Sequence, residues 1–261
     1  MRAELRELHK YRELLYMIAY RDIRVRYKQS IMGVLWAVLM PILIVMSGVL
    51  VRFAYAMTSH ATLQVADIAG VAVKALPWAF LVSSIRFASL SLINNKELVT
   101  KIYFPKEIFP LAAVLASLFD LFIASGPLVL FVLVLRVGWS PFLLWVPALL
   151  TTTVILAAGT ALIVSAASLY FRDVKFIVEI FLTFGIFFTP VFFDVKMLGK
   201  NGKWLMLNPI SPLLDGFGSS VAHHQSPDLS WFAYSLAFAL VLLLAGYVFF
   251  KQVESGFAES I

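Results

Sequence analysis

Long stretches of this chain leave no charge to reach water. Val34 to Val51, VLWAVLMPILIVMSGVLV, has no acidic or basic side chain, and neither has Trp231 to Phe250. A helix rises about 1.5 Å per residue, so about 20 such residues cross the ~30 Å hydrocarbon core of a bilayer. Only helices and closed barrels satisfy every backbone group in lipid. The runs predict an all-α membrane protein in a single domain over 1–261, with six spans at 31–57, 76–93, 106–135, 142–169, 176–193 and 231–250. Composition points the same way: 61% of residues are hydrophobic and 14% charged, where soluble chains hold about 45 to 50% and 25%. Without cysteine there is no disulfide, thiolate metal site or cysteine nucleophile, and no catalytic, cofactor or metal site is expected on this chain.

Six spans place both termini on one side, and lysine and arginine decide which. Fourteen fall in the N-terminal segment, the 94–106 link, the turn after span four and the end of span six, whereas six fall on the other side. Both termini are therefore expected in the cytoplasm, with the protein in the cytoplasmic (inner) membrane. The net charge of +6 reads as topology, and without a basic soluble domain no nucleic-acid partner is expected. The opening MRAELRELHKYRELL is polar and amphipathic, so no cleavable signal peptide is expected.

Three segments do not span. Residues 1–30 are expected to form an interface helix in the cytoplasmic headgroup layer, with Leu8, Tyr11, Leu15 and Ile18 on one face. Between spans two and three, NNKELVTKIYFPKEIFPLAA puts Leu98, Val99, Ile102 and Tyr103 on one side of a short helix, and Lys96, Glu97, Thr100 and Lys101 elsewhere. Asn94 or Asn95 would cap it, and Pro105 would end it and open the next helix. A plain hairpin needs only a few residues, so the extra length reads as a contact surface for a soluble partner or as a bland interfacial turn. Arg172, Asp173 and Lys175 in SLYFRDVKF form a smaller surface of the same kind, or a solvated turn. The loop 194–230 carries turn and helix-start signals at Asn208, Pro209 and Pro212, and is expected to form short helices as an external gate.

Four motifs occur in one order: YRDIRVRYKQSIMGVLWAVLMP, NNKELVTKIYFPKEIFPLA, YFRDVKFIVEIFLTFGIFFTPVFF and NPISP. Together they resemble the permease subunit of type 2 ABC exporters, in the branch that exports O-antigen, teichoic acid and capsular polysaccharide. The resemblance covers nearly the whole chain. It implies a homodimer joined to two copies of an ATPase subunit that binds ATP and magnesium, in contact with membrane lipid, and extruding a polyprenyl-diphosphate-linked glycan. It also makes the helix after span two a coupling helix seated in the ATPase, so that Asn95, Lys96, Glu97, Leu98, Lys101 and Ile102, with Arg172 and Asp173, are the expected coupling residues. The chain carries no G-x-x-x-x-G-K-[ST] loop, so hydrolysis is assigned to the partner.

Aromatic faces hold sugars, which makes Trp36, Tyr55 and the stripe Phe181, Phe184 and Phe188 candidates for the substrate path, although a stripe at this spacing fits lipid-facing packing equally well. Charges inside spans seek partners or water. By helical rise Arg86 lies about 12 Å above Asn94, Glu179 about 9 Å above Asp173 and Asp120 about 21 Å above Lys106. Arg86 and Glu179 are therefore expected to pair, and Asp120 to face polar groups nearer the outer half. The alternatives are a type 2 permease for a drug, lipid or ion, or a membrane-embedded glycosyl or acyl transferase. The latter needs a cluster of catalytic groups, and the only adjacent histidines are His223 and His224. A secondary transporter would show inverted repeats, and none is visible.

Overall fold

The computed structural model describes residues 10–28, 30–59, 62, 64–101 and 104–257. The first nine residues, Ile102 and Tyr103 lie outside that set, and with them part of the expected interface helix and coupling face. Among the described residues all regular structure is helical. The α-helices are α1 (Arg12–Tyr27), α2 (Leu35–Ser59), α3 (Val65–Ser91), α4 (Lys96–Lys101), α5 (Ile108–Val134), α6 (Trp145–Tyr170), α7 (Val174–Gly185), α8 (Gly202–Met206), α9 (Ser211–Val221) and α10 (Leu229–Val253).

Among the described residues, five helical stretches are long and apolar enough to cross a membrane: Leu35–Thr58, Val65–Ser91, Ile108–Val134, Pro141–Tyr170 and Leu229–Gly256. The expected span at 176–193 differs. There α7 has 12 residues and runs on only through a 3-10 turn at Ile186–Phe188. Its α-helical part is about 18 Å long, well short of the hydrocarbon core. Thr189 is extended because it precedes Pro190, which disfavours helical backbone before it and ends the element. In the second run the helix starts at Val65, ahead of 76, on a capping box between Gln64 and Asp67. Lys74 looked like a boundary because it is charged, yet it lies inside this helix.

Helix α3 is buried along most of its length and packs against α2, α5, α6, α7 and α9. An apolar helix without a polar face belongs in the interior. By contrast α2, α5 and α10 each leave many large apolar side chains exposed. One cluster at the α4 end gathers Ile18 of α1, Leu92, Val99 of α4, Ile108 and Phe109 of α5, Leu169 of α6, and Phe250 and Phe257 at the end of α10. The α1 helix and the C-terminal end therefore lie together at the end of the bundle that carries α4. Helix α1 does not lie free beneath the bundle: Ile18 and Ala19 are buried and its last turn reaches Asp120 inside α5.

Two glycines set a backbone-to-backbone helix contact. A Cβ on Gly159 would come within 2.7 Å of the Leu243 amide nitrogen, and one on Gly246 within 2.6 Å of the Gly159 carbonyl oxygen. Such small-residue contacts let α6 and α10 touch backbone to backbone, where association depends on packing. Gly246→Val should cost about 1–3 kcal/mol by overpacking. A lowered unfolding temperature in detergent checks this, with Leu244→Val on the exposed face of the same helix staying within about 0.5 kcal/mol of wild type.

Candidate functional site

Helix α4 is joined to α3 through a 3-10 turn at Ile93–Asn95. Asn95 does not cap α4: its side-chain amide donates back to the Ser91 carbonyl at 2.7 Å, binding the turn to α3. Val99 is 2% exposed and faces the inner cluster, and Leu98 packs partly against the same cluster. Lys96, Glu97 and Lys101 are exposed, and Glu97 and Lys101 approach to 3.6 Å across one turn. Such an exposed pair contributes only about 0.3–0.5 kcal/mol, so both groups are free to serve another surface. Arg172 and Asp173 are exposed at the α6–α7 turn, at the same end of the bundle.

Pro105 does not open α5, which starts at Ile108 after a turn held by Glu107. Glu107 is 1% exposed and accepts from Lys251 Nζ at 2.8 Å, while Lys251 also donates to Glu254 at 2.9 Å. Burial holds the Glu107 carboxyl above its usual range, although Lys251 pulls the other way. The Glu254 carboxylate accepts from the Lys106 amide at 3.3 Å, and Tyr170 donates to the Val253 carbonyl at 2.6 Å. This clasp ties the end of α10 to the link that leaves α4. Sequence reading missed it because Glu107, Lys251 and Glu254 are far apart in the chain and ordinary in composition.

Deeper in the bundle a cavity of about 660 Å³ opens between α1, α2, α3, α5 and α7, lined by Arg26, Trp36, Trp78, Arg86, Asp120 and Thr183 among others. Arg86, in its lining, pairs with Glu179 through two bonds of 2.9 and 2.6 Å, each side chain about half exposed. Asp120 is placed otherwise than expected. It accepts from Arg26 at 2.6 Å and from the Tyr27 hydroxyl at 2.6 Å, both at the end of α1. Arg26 also lies 3.5 Å over the Phe87 ring. The expectation of polar groups nearer the outer half fails because α1 rises along α5 and brings its own cation to that depth. Trp36 lines the cavity, and Tyr55 lies elsewhere, about 28 Å further along α2 by helical rise. Phe181, Phe184 and Phe188 point away from the protein body, 74%, 56% and 68% exposed, while Leu182 and Ile186 face the cavity.

At the opposite end from α4, two cations that the sequence reading counted with the outer-side charges are buried. Lys74 is 0% and Arg52 2% exposed. Both converge on Asp194, just after α7: Lys74 Nζ at 2.9 Å from one carboxylate oxygen and Arg52 Nη2 at 2.6 Å from the other. Lys74 also donates to the Phe193 carbonyl at 3.0 Å. Burial alone would raise the Asp194 carboxyl, but the two cations outweigh it and hold it at about 2. The residues expected in the external gate are held within the fold. Asn208 donates to the Phe188 carbonyl at 3.2 Å, Ser235 donates to the Pro209 carbonyl at 2.8 Å, and Pro212 is buried in the first turn of α9. A charged residue inside an apolar run was the available signal for Lys74.

Residues 13–222 match the family described as ABC-2 type transporter. The O-antigen export system permease protein RfbA of Myxococcus xanthus is 30% identical over 98% of each chain. Two proteins of the same name from Klebsiella pneumoniae are 26% and 25% identical, over 95% of this chain and 94% of theirs.

Because Asp194 is depressed on folding, its contribution is full above the ordinary carboxylate value of about 3.9 and is lost as pH falls toward about 2. The gap in unfolding temperature between wild type and Asp194→Asn, measured in detergent, should be constant from about pH 8 to 5 and close below about pH 4.

Proposed function

This chain belongs to the ABC-2 type transporter family, and we propose that it is the membrane permease of an ATP-driven exporter of polyprenyl-diphosphate-linked polysaccharide. O-antigen is the first candidate substrate, with teichoic acid or capsule as alternatives within the same chemistry. The full-length similarity to three O-antigen export permeases carries this reading. The chain acts as a homodimer with two copies of a nucleotide-binding ATPase, in the cytoplasmic membrane with α4 on the cytoplasmic side. ATP and magnesium belong to the partner.

The geometry supports a route for the stroke. A partner pressing on Glu97 and Lys101 pushes a helix whose buried Val99 is part of the inner cluster. That cluster holds the ends of α1, α5, α6 and α10, so the load is spread over the bundle and not spent on bending a loop. Through the 3-10 turn the same push reaches α3, and Arg86 hands it to Glu179 on α7. The segment 194–230 is the external gate that yields. In the assembled homodimer, the exposed Phe181, Phe184 and Phe188 stripe faces the partner protomer across the channel, where aromatic rings stack on sugar.

Reversing both charges, Glu97→Lys with Lys101→Glu, keeps an oppositely charged pair within α4 and inverts what a partner meets. ATPase stimulation should fall at least tenfold in the reconstituted complex; normal stimulation would remove these residues from the coupling surface. Replacing all three phenylalanines by alanine should lower export of long glycan more than fivefold while ATPase assembly, checked by co-purification, stays intact. Undiminished export would return the stripe to lipid-facing packing.

A further inference from the structure

Asp194 occupies an unusual position for an anchoring residue. A site meant only to fix the chain is served at least as well by apolar packing, since buried ion pairs recover their desolvation cost poorly. Here two cations from two helices are withdrawn from water to hold one carboxylate, which is itself 21% exposed at its side chain. The fit around Lys74 is close. A Cβ added to Gly218 of α9 would lie 3.2 Å from the Lys74 stem. Arg52 Nη1 touches Met197 Sδ at 3.4 Å, and Arg52 Nε is buried with no acceptor among the described residues.

Each cation already has a second carboxylate at hand. Arg52 Nη1 stands 3.6 Å from Asp67, at the start of α3. Asp215 lies one turn ahead of Gly218, on the face of α9 that meets the Lys74 stem, and its charge attracts Lys74. His223 Nε2 approaches Asp194 to 4.0 Å. If Asp194 left, Arg52 and Lys74 would keep Asp67 and Asp215, so the large penalty for an orphaned buried charge would not arise. A carboxylate that can go while its partners remain neutralised is a bond made to open.

We propose that Asp194 is a detachable latch: seated between Arg52 and Lys74 it holds the segment after α7 against α2 and α3, and it leaves that seat when the exporter opens outward. The inference rests on reading 194–230 as the external gate. Asp67 and Asp215 are the standby partners that take Arg52 and Lys74 in the open state. The resting latch closes the path, and its release is a step of each cycle.

The chain has no cysteine, so an introduced pair meets no other thiol on this chain. Asp194→Asn keeps the shape and removes the charge. In the complete complex in a planar bilayer, without nucleotide or substrate, it should raise ion conductance at least tenfold over wild type; equal conductance would overturn the latch. In Arg52→Cys with Asp194→Cys, joining the thiols with a short reducible bis-methanethiosulfonate should abolish that conductance and stop ATP-driven export, with recovery on reduction. Export by the cross-linked complex at the uncross-linked rate would equally overturn it, since a static anchor tolerates being fixed and a latch does not. If the conductance responds as expected but unmodified complex moves no lipid-linked glycan, the latch stands and the substrate assignment falls.

Discussion

Taking an ion out of water is the constraint on which the rest of this structure depends. In a bundle this apolar an ionisable side chain needs a partner at its own depth, and each partner it finds becomes a joint between helices. Arg86 joins α3 to α7, Arg26 joins α1 to α5, and Lys74 and Arg52 join α3 and α2 to the segment after α7. Lys251 with Glu107 joins α10 to the link leaving α4. Apolar contact fills the space between these helices without choosing a register. The ion pairs choose it, because a shift of one turn would move a charge by about 5.4 Å and strand it.

That logic explains what could be read from residues alone. Apolar length gave the long helices, and the alternation of Leu98 and Val99 with Glu97 and Lys101 gave α4 its two faces. Arg86 and Glu179 were legible as a pair because each sits inside a run whose cytoplasmic end is clear, so their depths could be compared. Asp120 was misplaced because its depth was judged against the spans alone, and its partners Arg26 and Tyr27 belong to a helix expected to lie flat. Lys74 and Arg52 were only counted with the outer-side charges, because their shared partner is remote in sequence; Asp194 reaches them from more than a hundred residues away. The short α7 was overestimated for a different reason: hydropathy counts residues and does not see that Thr189 before Pro190 must leave the helix.

Belonging to the ABC-2 type transporter family gives these joints a purpose that a rigid membrane protein would not need. Helix α3 is the element through which they communicate. It is buried along most of its length, runs unbroken from Val65 to Ser91, and continues through a 3-10 turn into α4. Pro77 lies inside it and cannot donate the backbone bond of its turn, so it is the close packing around α3 that ties its neighbours to it.

Two of its ion pairs land on the same neighbouring unit. Arg86 holds Glu179 within α7, and Lys74 holds Asp194 just beyond it, with Gly185 allowing the Trp78 ring of α3 to lie against α7 between them. Helix α7 is thus fastened to α3 on both sides of its C-terminal end, while its phenylalanine face is left uncovered. The two fastenings differ in kind. The Arg86 pair is about half exposed on both sides. The Asp194 pair has its cations fully buried and must find other carboxylates before it can open. Parting the outer fastening therefore costs more than parting the inner one, and Asp67, 3.6 Å from Arg52, is an acid already placed to lower that cost.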